Sequence, residues 1–112
     1  MNKVFLIGRL TRDVESSTTP SGVSVARFNI AVNRNYGEDK KSDFFNITAW
    51  RGLGETVAKY AHKGDSVAVT GSIELRSYED NKGNKHTTVD VIAQEVEFLS
   101  ARKSESKSDI PI

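Results

Sequence analysis

The sequence contains no cysteine, which excludes disulfide bonds and thiol chemistry and fits a reducing compartment. Long hydrophobic runs are also missing. Near the start, the longest apolar stretch covers residues 4–7, which is far too short for a signal-peptide core or a membrane span. We therefore expect a cytoplasmic protein without a membrane segment, and 112 residues suffice for one small domain.

A strong excess of positive charge is absent as well. The net charge is +1, and residues 1–99 carry thirteen lysines or arginines against thirteen aspartates or glutamates. A strongly basic domain is the usual electrostatic footprint of a nucleic-acid-binding protein. The total charge therefore does not indicate such a partner, and binding of a polyanion would require that the basic residues gather in one groove.

The sequence also has little of what catalysis needs. Its two histidines, His62 and His86, lie in unlike local settings, and no histidine spacing fits a metal site. Gly52-Leu-Gly54 lacks the strand and the third glycine of a dinucleotide site, and the Ser-x-x-Lys string at residues 100–103 lies in a polar tail. We predict no enzymatic activity, no cofactor and no metal, and for His62 a structural role at a helix end.

The apolar pattern predicts five strands and one short helix. The strands are expected at about residues 2–10, 23–33, 43–50, 66–77 and 85–99. Helical spacing appears between Leu53 and Ala61, and Gly64 marks the stop. This order predicts an all-β fold, a five-stranded, partly open barrel with the helix between strands 3 and 4, of the kind that binds oligonucleotides and oligosaccharides. Residues 1–99 form the predicted domain, and residues 100–112, rich in Ser, Lys and Glu, form a short disordered tail.

Aromatic rings fall on the predicted polar faces of two strands. Counting by twos places Phe44 and Trp50 opposite one core row, and Tyr78 falls with the polar residues facing away from a second. The core rows are Phe45, Ile47 and Ala49 in the third strand and Val69, Gly71, Ile73 and Leu75 in the fourth. Exposed rings among lysines and arginines suit stacking of unpaired bases. Tyr36 is a fourth candidate only if its strand ends or bulges before it. Because aromatic residues are also favoured at half-buried strand positions, a structural role for each ring stays open.

The first predicted strand is apolar on both faces. Val4, Leu6 and Leu10 lie on one parity, and Phe5 and Ile7 on the other. In a chain this small, two covered faces indicate a subunit interface.

Five stretches form a distinctive combination along the chain. They are Asn2-Lys-Val-Phe-Leu-Ile-Gly-Arg-Leu10, Val25-Ala-Arg-Phe-Asn-Ile-Ala-Val-Asn33, Phe45-Asn-Ile-Thr-Ala-Trp50, the helix at residues 55–64, and Val69-Thr-Gly-Ser-Ile73 leading to Arg76-Ser-Tyr78. In this order they resemble the bacterial-type single-stranded DNA-binding protein (SSB) family over nearly the whole chain. The resemblance implies an OB barrel that assembles as a homotetramer, a dimer of dimers. It also implies binding and protection of single-stranded DNA in replication, recombination or repair, at the nucleoid.

The resemblance also implies which residues form the site. The family's stacking positions fall on Tyr36, Phe44, Trp50 and Tyr78. The basic candidates for phosphate contacts are Lys3, Arg34, Arg51, Lys63 and Arg76, and Lys82 and Lys85 lie near the rings in the sequence.

The end of the chain departs from the family pattern. Family members often end in an acidic tip of the type Asp-Asp-Asp-Ile-Pro-Phe, which docks onto replication and repair proteins. Here the corresponding residues are Asp109, Ile110, Pro111 and Ile112, with one aspartate and a terminal isoleucine. Two interpretations stay open, namely a weakened partner-binding tip and a frayed end without a partner.

Two other functions are compatible with such a barrel. A protein-interaction module, such as a primosome accessory protein, would bury the rings at subunit contacts, so solvent-exposed rings would count against it. The fold also binds carbohydrate, but clustered arginines and lysines favour a polyanion.

Overall fold

Alternating apolar and polar residues build one six-stranded sheet that closes on itself. The computed structural model describes residues 1–37 and 39–99, except for the side chains of Asn35, Tyr36 and Asp39. The strands are β1 (Val4–Leu10), β2 (Glu15–Thr18), β3 (Ser24–Tyr36), β4 (Asp39–Trp50), β5 (Ser66–Glu79) and β6 (Lys85–Phe98), and the helix α1 spans Arg51–Tyr60.

The strand order confirms the predicted architecture. The order is β1-β5-β6-β4-β3-β2, and a second pairing between the end of β1 and β3 closes the barrel. Of the described pairings, only that between β4 and β6 is parallel. The five long strands form an all-β barrel, with α1 between the third and the fourth of them. The predicted disordered tail at residues 100–112 lies outside the described residues.

The β3–β4 hairpin is longer than the sequence pattern predicted. β3 continues to Tyr36 instead of ending near residue 33, and β4 begins at Asp39 instead of residue 43. Most of the added residues are polar, and they pair with each other without an apolar alternation that would mark them as strand. For the same reason β2, a fully exposed edge strand beside β3, was not predicted.

Aliphatic side chains fill the barrel, and α1 packs against it. The largest fully buried side chains are Ile30, Ile47, Val57, Val67, Val69 and Val91. α1 contacts mainly β3 and β4, and Gly54 permits this close packing because a Cβ there would lie 2.5 Å from the Ala49 carbonyl oxygen. The helix ends at Tyr60, before the predicted stop at Gly64. No helix in the described part of the chain is long and apolar enough to cross a membrane.

A β-bulge at Thr70 and Gly71 separates the barrel from a projecting hairpin. A Cβ at Gly71 would lie 2.1 Å from the Ile92 carbonyl oxygen, so this close approach of the strands requires glycine. Beyond the bulge, residues 72–79 of β5 have no described sheet partner other than β6, and residues 85–89 of β6 have none other than β5. We call these two segments the hairpin arm. The predicted turn closes it, with the Asp80 N–H donating to the Asn84 carbonyl at 2.9 Å.

One predicted core row leaves the core at the arm. Ile73 and Leu75 share a face with buried Val69, but they are 39% and 65% exposed, and their neighbour Val89 is exposed too. The prediction that this row stays in the core is therefore wrong for these two residues. The alternation predicted correctly that these residues share a sheet face with Val69. The arm extends beyond the barrel, however, so the core does not cover that face there.

Candidate nucleic-acid interface

One face of the β3–β4 sheet carries two exposed rings. Phe44 is 64% exposed and Trp50 is 38% exposed, and both lie on the face that the alternation assigned to them. Between the rings, the Asn29 side-chain amide donates to the Asn46 side-chain oxygen at 3.0 Å. The face therefore offers flat apolar rings separated by polar amides.

The change from sheet to helix fixes the position of Trp50. Trp50 is the last residue of β4 and also the N-cap residue of α1. Arg51 follows with a φ of 55°, a left-handed conformation that is uncommon for residues other than glycine. The chain thus turns sharply just after the tryptophan, which is held by strand pairing on one side and by the helix on the other.

The same face continues across β6 onto the hairpin arm. Asn46 pairs with Asp90 in the parallel β4–β6 ladder, and in the arm Arg76 pairs with Thr88. Because paired residues project on the same side of a sheet, Tyr78 lies on the face of Phe44 and Trp50. Tyr78 is 52% exposed. A cleft of about 430 Å³ opens on this face and is lined by Arg12, Glu15, Arg27, Phe28, Asn46, Ile47, Thr48, Arg76, Tyr78, Thr88 and Asp90.

An ion pair lies in this cleft. Asp90 is only 5% exposed, and its carboxylate accepts a hydrogen bond from the Arg76 guanidinium, most of which is exposed. A buried carboxylate needs such a partner, because an unpaired charge away from water is costly. The pairing ties Arg76, whose side chain is 64% exposed, to the lining of the cleft.

The structure separates two of the predicted basic residues from the rings. Arg34 lies on the opposite sheet face from Phe44, where its guanidinium is 2.6 Å from the Asp43 carboxylate. Lys85 pairs with Glu79, and the register places this pair on the arm face opposite to Tyr78. Proximity in the sequence did not indicate the face in either case.

The other predicted basic residues lie at separate places around the barrel. Arg51 directly follows Trp50 and is exposed. The Lys3 ammonium donates to the Gln94 side chain at 2.8 Å, and the Lys63 backbone N–H donates to the Asp13 carboxylate at 2.9 Å in the turn after α1. Lys82 lies in the turn of the arm. The structure therefore places Phe44, Trp50, Tyr78 and Arg76 on one face of the sheet, which we call the ring face, and Arg51 directly follows Trp50.

Tyr36 is the last residue of β3, where it pairs with Asp39. Its side chain lies outside the described part of the structure, so its assignment as a stacking residue stays a prediction.

Sequence reasoning missed two arginines of the cleft, Arg12 and Arg27. Arg27 precedes Phe28 in β3 and pairs with Thr48, so the same count by twos that found Trp50 would have placed it on the ring face. Arg12 lies between β1 and β2, where no alternation gives a signal.

The tip of the arm is organised by one carboxylate. Asp80 accepts a hydrogen bond or ion pair from the His86 ring at 2.9 Å and backbone hydrogen bonds from Asn84 and Lys82, also at 2.9 Å. These contacts, that of His86 first, hold the pKa of the Asp80 carboxyl below its ordinary value of 3.8. The aspartate therefore stays ionised, and it is the main organiser of the turn.

The ring face can stack on planar ligands and contact anions, and it offers amide groups for hydrogen bonds. Among residues 1–37 and 39–99, no group of three His, Asp or Glu side chains is placed to hold a metal ion.

Sequence comparisons point to one family. The family model for the Single-strand binding protein family matches residues 1–99. A single-stranded DNA-binding protein of Halalkalibacterium halodurans is 44% identical over 110 residues, which cover 96% of this chain and 66% of the relative. Single-stranded DNA-binding protein 2 of Listeria monocytogenes is 41% identical, with 93% of this chain and 67% of the relative covered. Single-stranded DNA-binding protein 4 of Streptococcus agalactiae is 43% identical, with 91% and 76% covered. The chain thus spans about two thirds of the length of the first two relatives.

Proposed function

The chain belongs to the single-strand binding protein family, and from this premise we propose that it binds and protects single-stranded DNA without sequence preference. The proposal is one of binding without chemistry, since the proteins of this family are not enzymes. It places the protein in replication, recombination or repair, at the nucleoid in the cytoplasm.

The observation that carries the proposal is the shared face of three exposed rings. Phe44, Trp50 and Tyr78 project on one side of a continuous sheet, where successive bases can stack on them. Each stacked base contributes about 1–3 kcal/mol, and every base has a face to stack, so the rings can hold a strand without reading its sequence. A duplex hides these faces between its base pairs and should bind poorly.

Positive charge makes the second contribution to the affinity for single-stranded DNA. Arg12, Arg27 and Arg76 line the cleft, and Glu15 and Asp90 offset part of their charge. Contacts between arginines and phosphates release counterions from the strand, so the affinity should fall as salt rises. The modest local excess of positive charge makes stacking the main source of affinity in this proposal.

Two exposed apolar surfaces support the proposed homotetramer. Phe5 and Ile7 project from β1, and the edge of β1 over residues 4–8 has no described sheet partner on the side away from β5. The second surface is the aliphatic face of the hairpin arm, formed by Ile73, Leu75 and Val89. Exposed patches of this kind mark interfaces, and a dimer of dimers requires two of them. A monomer mass in sedimentation at micromolar concentration would contradict the assembly.

We propose residues 1–99, the range that the family model matches, as the DNA-binding domain and residues 100–112 as a separate tail. The tip at Asp109, Ile110, Pro111 and Ile112 keeps part of the family's docking pattern, and we propose that it binds replication or repair proteins weakly. Removal of residues 100–112 should leave strand binding unchanged.

The test of strand binding uses Trp50, the only tryptophan. Its fluorescence is followed while oligo-dT is added at two salt concentrations, with duplex DNA as a competitor. We expect strong quenching that duplex does not reverse and an affinity that falls at the higher salt. Absence of binding would favour the protein-interaction module, in which the rings that are exposed in the single chain would be buried at subunit contacts.

A substitution of Trp50 tests whether its ring contributes to the affinity for the strand. Trp50→Ala should weaken binding by about 1–3 kcal/mol in the anisotropy of a labelled oligo-dT, while the fold stays intact. Tyr60→Ala is the matched control, because Tyr60 is an exposed ring at the end of α1 that contacts Phe98 and lies away from the cleft. Equal affinities of the Trp50→Ala and wild-type proteins would exclude Trp50 from the site.

A further inference from the structure

The tip of the hairpin arm carries a pair of stacked rings. Tyr78 and His86 lie directly opposite each other in the β5–β6 ladder. Their ring centroids are 5.1 Å apart and the ring planes differ by 23°, which is a stacked arrangement. The imidazole therefore covers one side of the tyrosine, and about half of the tyrosine surface remains open to solvent.

The imidazole is itself held in place. Its Nε2 lies 2.9 Å from Oδ2 of Asp80, and Oδ1 of Asp80 accepts the backbone N–H groups of Lys82 and Asn84. The contacts thus run from the turn backbone through Asp80 and His86 to the Tyr78 ring. An exposed side chain on a two-stranded arm would otherwise sample several rotamers, and ordering it would reduce the free energy of binding.

The fold does not need this pair for its core. Both rings are exposed, and the turn is already closed by the backbone bonds from Asp80 to Asn84 and from Gly83 to Asp80. The pair lies on the arm face that carries Arg76 and Thr88, and Tyr78 lines the cleft. What the contacts fix is the orientation of one ring beside the cleft.

We propose that His86 is a positioning residue for strand binding, which stacks on Tyr78 and holds that ring ready for a base, with Asp80 fixing His86 in turn. The inference rests on the proposed binding of single-stranded DNA. His86 is not among the aromatic and basic residues that the sequence indicated for the site. A histidine that showed no signal for catalysis or for metal binding thus has a function in strand binding.

The test compares four variants of the full chain by the anisotropy of a labelled oligo-dT. These variants are His86→Ala, His86→Phe, Tyr78→Ala and the His86→Ala/Tyr78→Ala double variant. We expect His86→Ala to raise the Kd by about 3- to 10-fold, the range expected when one side chain loses its preorganisation. His86→Phe should restore the Kd to within about twofold, because a flat ring still stacks on Tyr78. His86→Ala should have no further effect once Tyr78 is alanine.

Three outcomes would overturn the proposal. An unchanged Kd for His86→Ala would show that the stack does not matter for binding. A loss that persists in the Tyr78→Ala background would mean that His86 contacts the strand itself. Failure of His86→Phe to restore the Kd would show that ring stacking is not the reason for the loss.

A measurement without DNA checks the stack in the folded protein. The NMR signals of the His86 ring protons should shift between the wild-type protein and Tyr78→Ala, because the tyrosine ring current is removed, and unchanged signals would also overturn the proposal. Trp50→Ala is titrated in parallel to separate the two levels of inference. If Trp50→Ala weakens binding and His86→Ala does not, only the role of His86 fails. If the wild-type protein does not bind oligo-dT at all, the proposed function fails and the role of His86 fails with it.

Discussion

The two faces of the hairpin arm are made from alternate residues of the same two strands, yet their chemistry differs. One face carries charged, polar and aromatic groups, namely Glu74, Arg76, Tyr78, His86 and Thr88. The other carries Ile73, Leu75 and Val89 next to the barrel, and the polar residues Ser77, Thr87, Glu79 and Lys85 towards the tip. In most sheets such alternation separates solvent from the core. Here the barrel covers neither face, so the alternation separates two exposed surfaces of different chemistry. We infer that the ring face serves the strand and the aliphatic face serves another copy of the chain.

The largest effect should come from a side chain placed in the close strand contact at the base of the arm. We expect Gly71→Val to destabilise the fold by more than about 3 kcal/mol, because even a Cβ at Gly71 would lie 2.1 Å from the backbone oxygen of Ile92. Thermal unfolding measures the loss. The matched control is Gly52→Val, where a Cβ would meet nothing within 4 Å. If Gly71→Val were as stable as the control, the close strand contact would not define the base of the arm.

The next largest effect should come from a charge on the aliphatic face. Leu75 is 65% exposed in the single chain, and its burial in an interface would contribute roughly 1.5–3 kcal/mol per chain. A lysine at this position would lose that burial and place like charges together across a symmetric contact. We expect Leu75→Lys to sediment at a lower mass than the wild-type protein, for which we propose four chain masses, at the same micromolar concentration.

The control for this variant is Ser77→Lys, which adds the same charge on the same face of β5 at a position that is already polar and exposed. It should keep the wild-type mass. The comparison of the two faces would fail if Leu75→Lys kept the full mass, because the aliphatic face would then have no part in assembly.

A change on the ring face should weaken DNA binding without altering the sedimented mass. Tyr78→Ala is expected to weaken the binding of oligo-dT by about 1–3 kcal/mol, the contribution of one stacked base, and to leave the sedimented mass unchanged. Tyr60→Ala, which removes an exposed ring elsewhere, should alter neither quantity. A change of mass in Tyr78→Ala would show that the two faces do not act separately.

Part of this arrangement could be predicted from the sequence, because strand pleating alone sets a period of two. That period placed Phe44 and Trp50 on the polar face of one strand and Tyr78 on the polar face of another, without knowledge of the fold. The same period groups Arg34 with Phe28 and Ile30, because all three have even numbers in one strand. The pattern therefore already indicated that Arg34 lies on the face away from the rings. Counting by twos was more informative there than proximity in the sequence.

Burial could not be predicted in the same way, because it depends on where the barrel ends. Ile73 and Leu75 continue the row of Val69, and only the bulge at Gly71 and the lack of further sheet partners show that this row has left the core. The pairing of Arg76 with Asp90 depends likewise on residues that are distant in sequence and adjacent across two strands.

The smallest effect is expected from Asp80, whose carboxylate contacts His86 at the tip of the arm. The pKa of Asp80 in the folded protein lies below its ordinary value of 3.8, chiefly because of His86, so the ionised form stabilises the fold above that pH. This stabilisation is lost as the pH falls through the lowered pKa. We therefore expect the melting temperature of Asp80→Asn to lie slightly below that of the wild-type protein near neutral pH, and the gap to close in acid below about pH 3.8. At neutral pH the variant should keep the wild-type mass, because the described hydrogen bonds of Asp80 go to His86 and to the backbone of the turn. A gap that stayed constant with pH would mean that ionised Asp80 does not stabilise the tip of the arm.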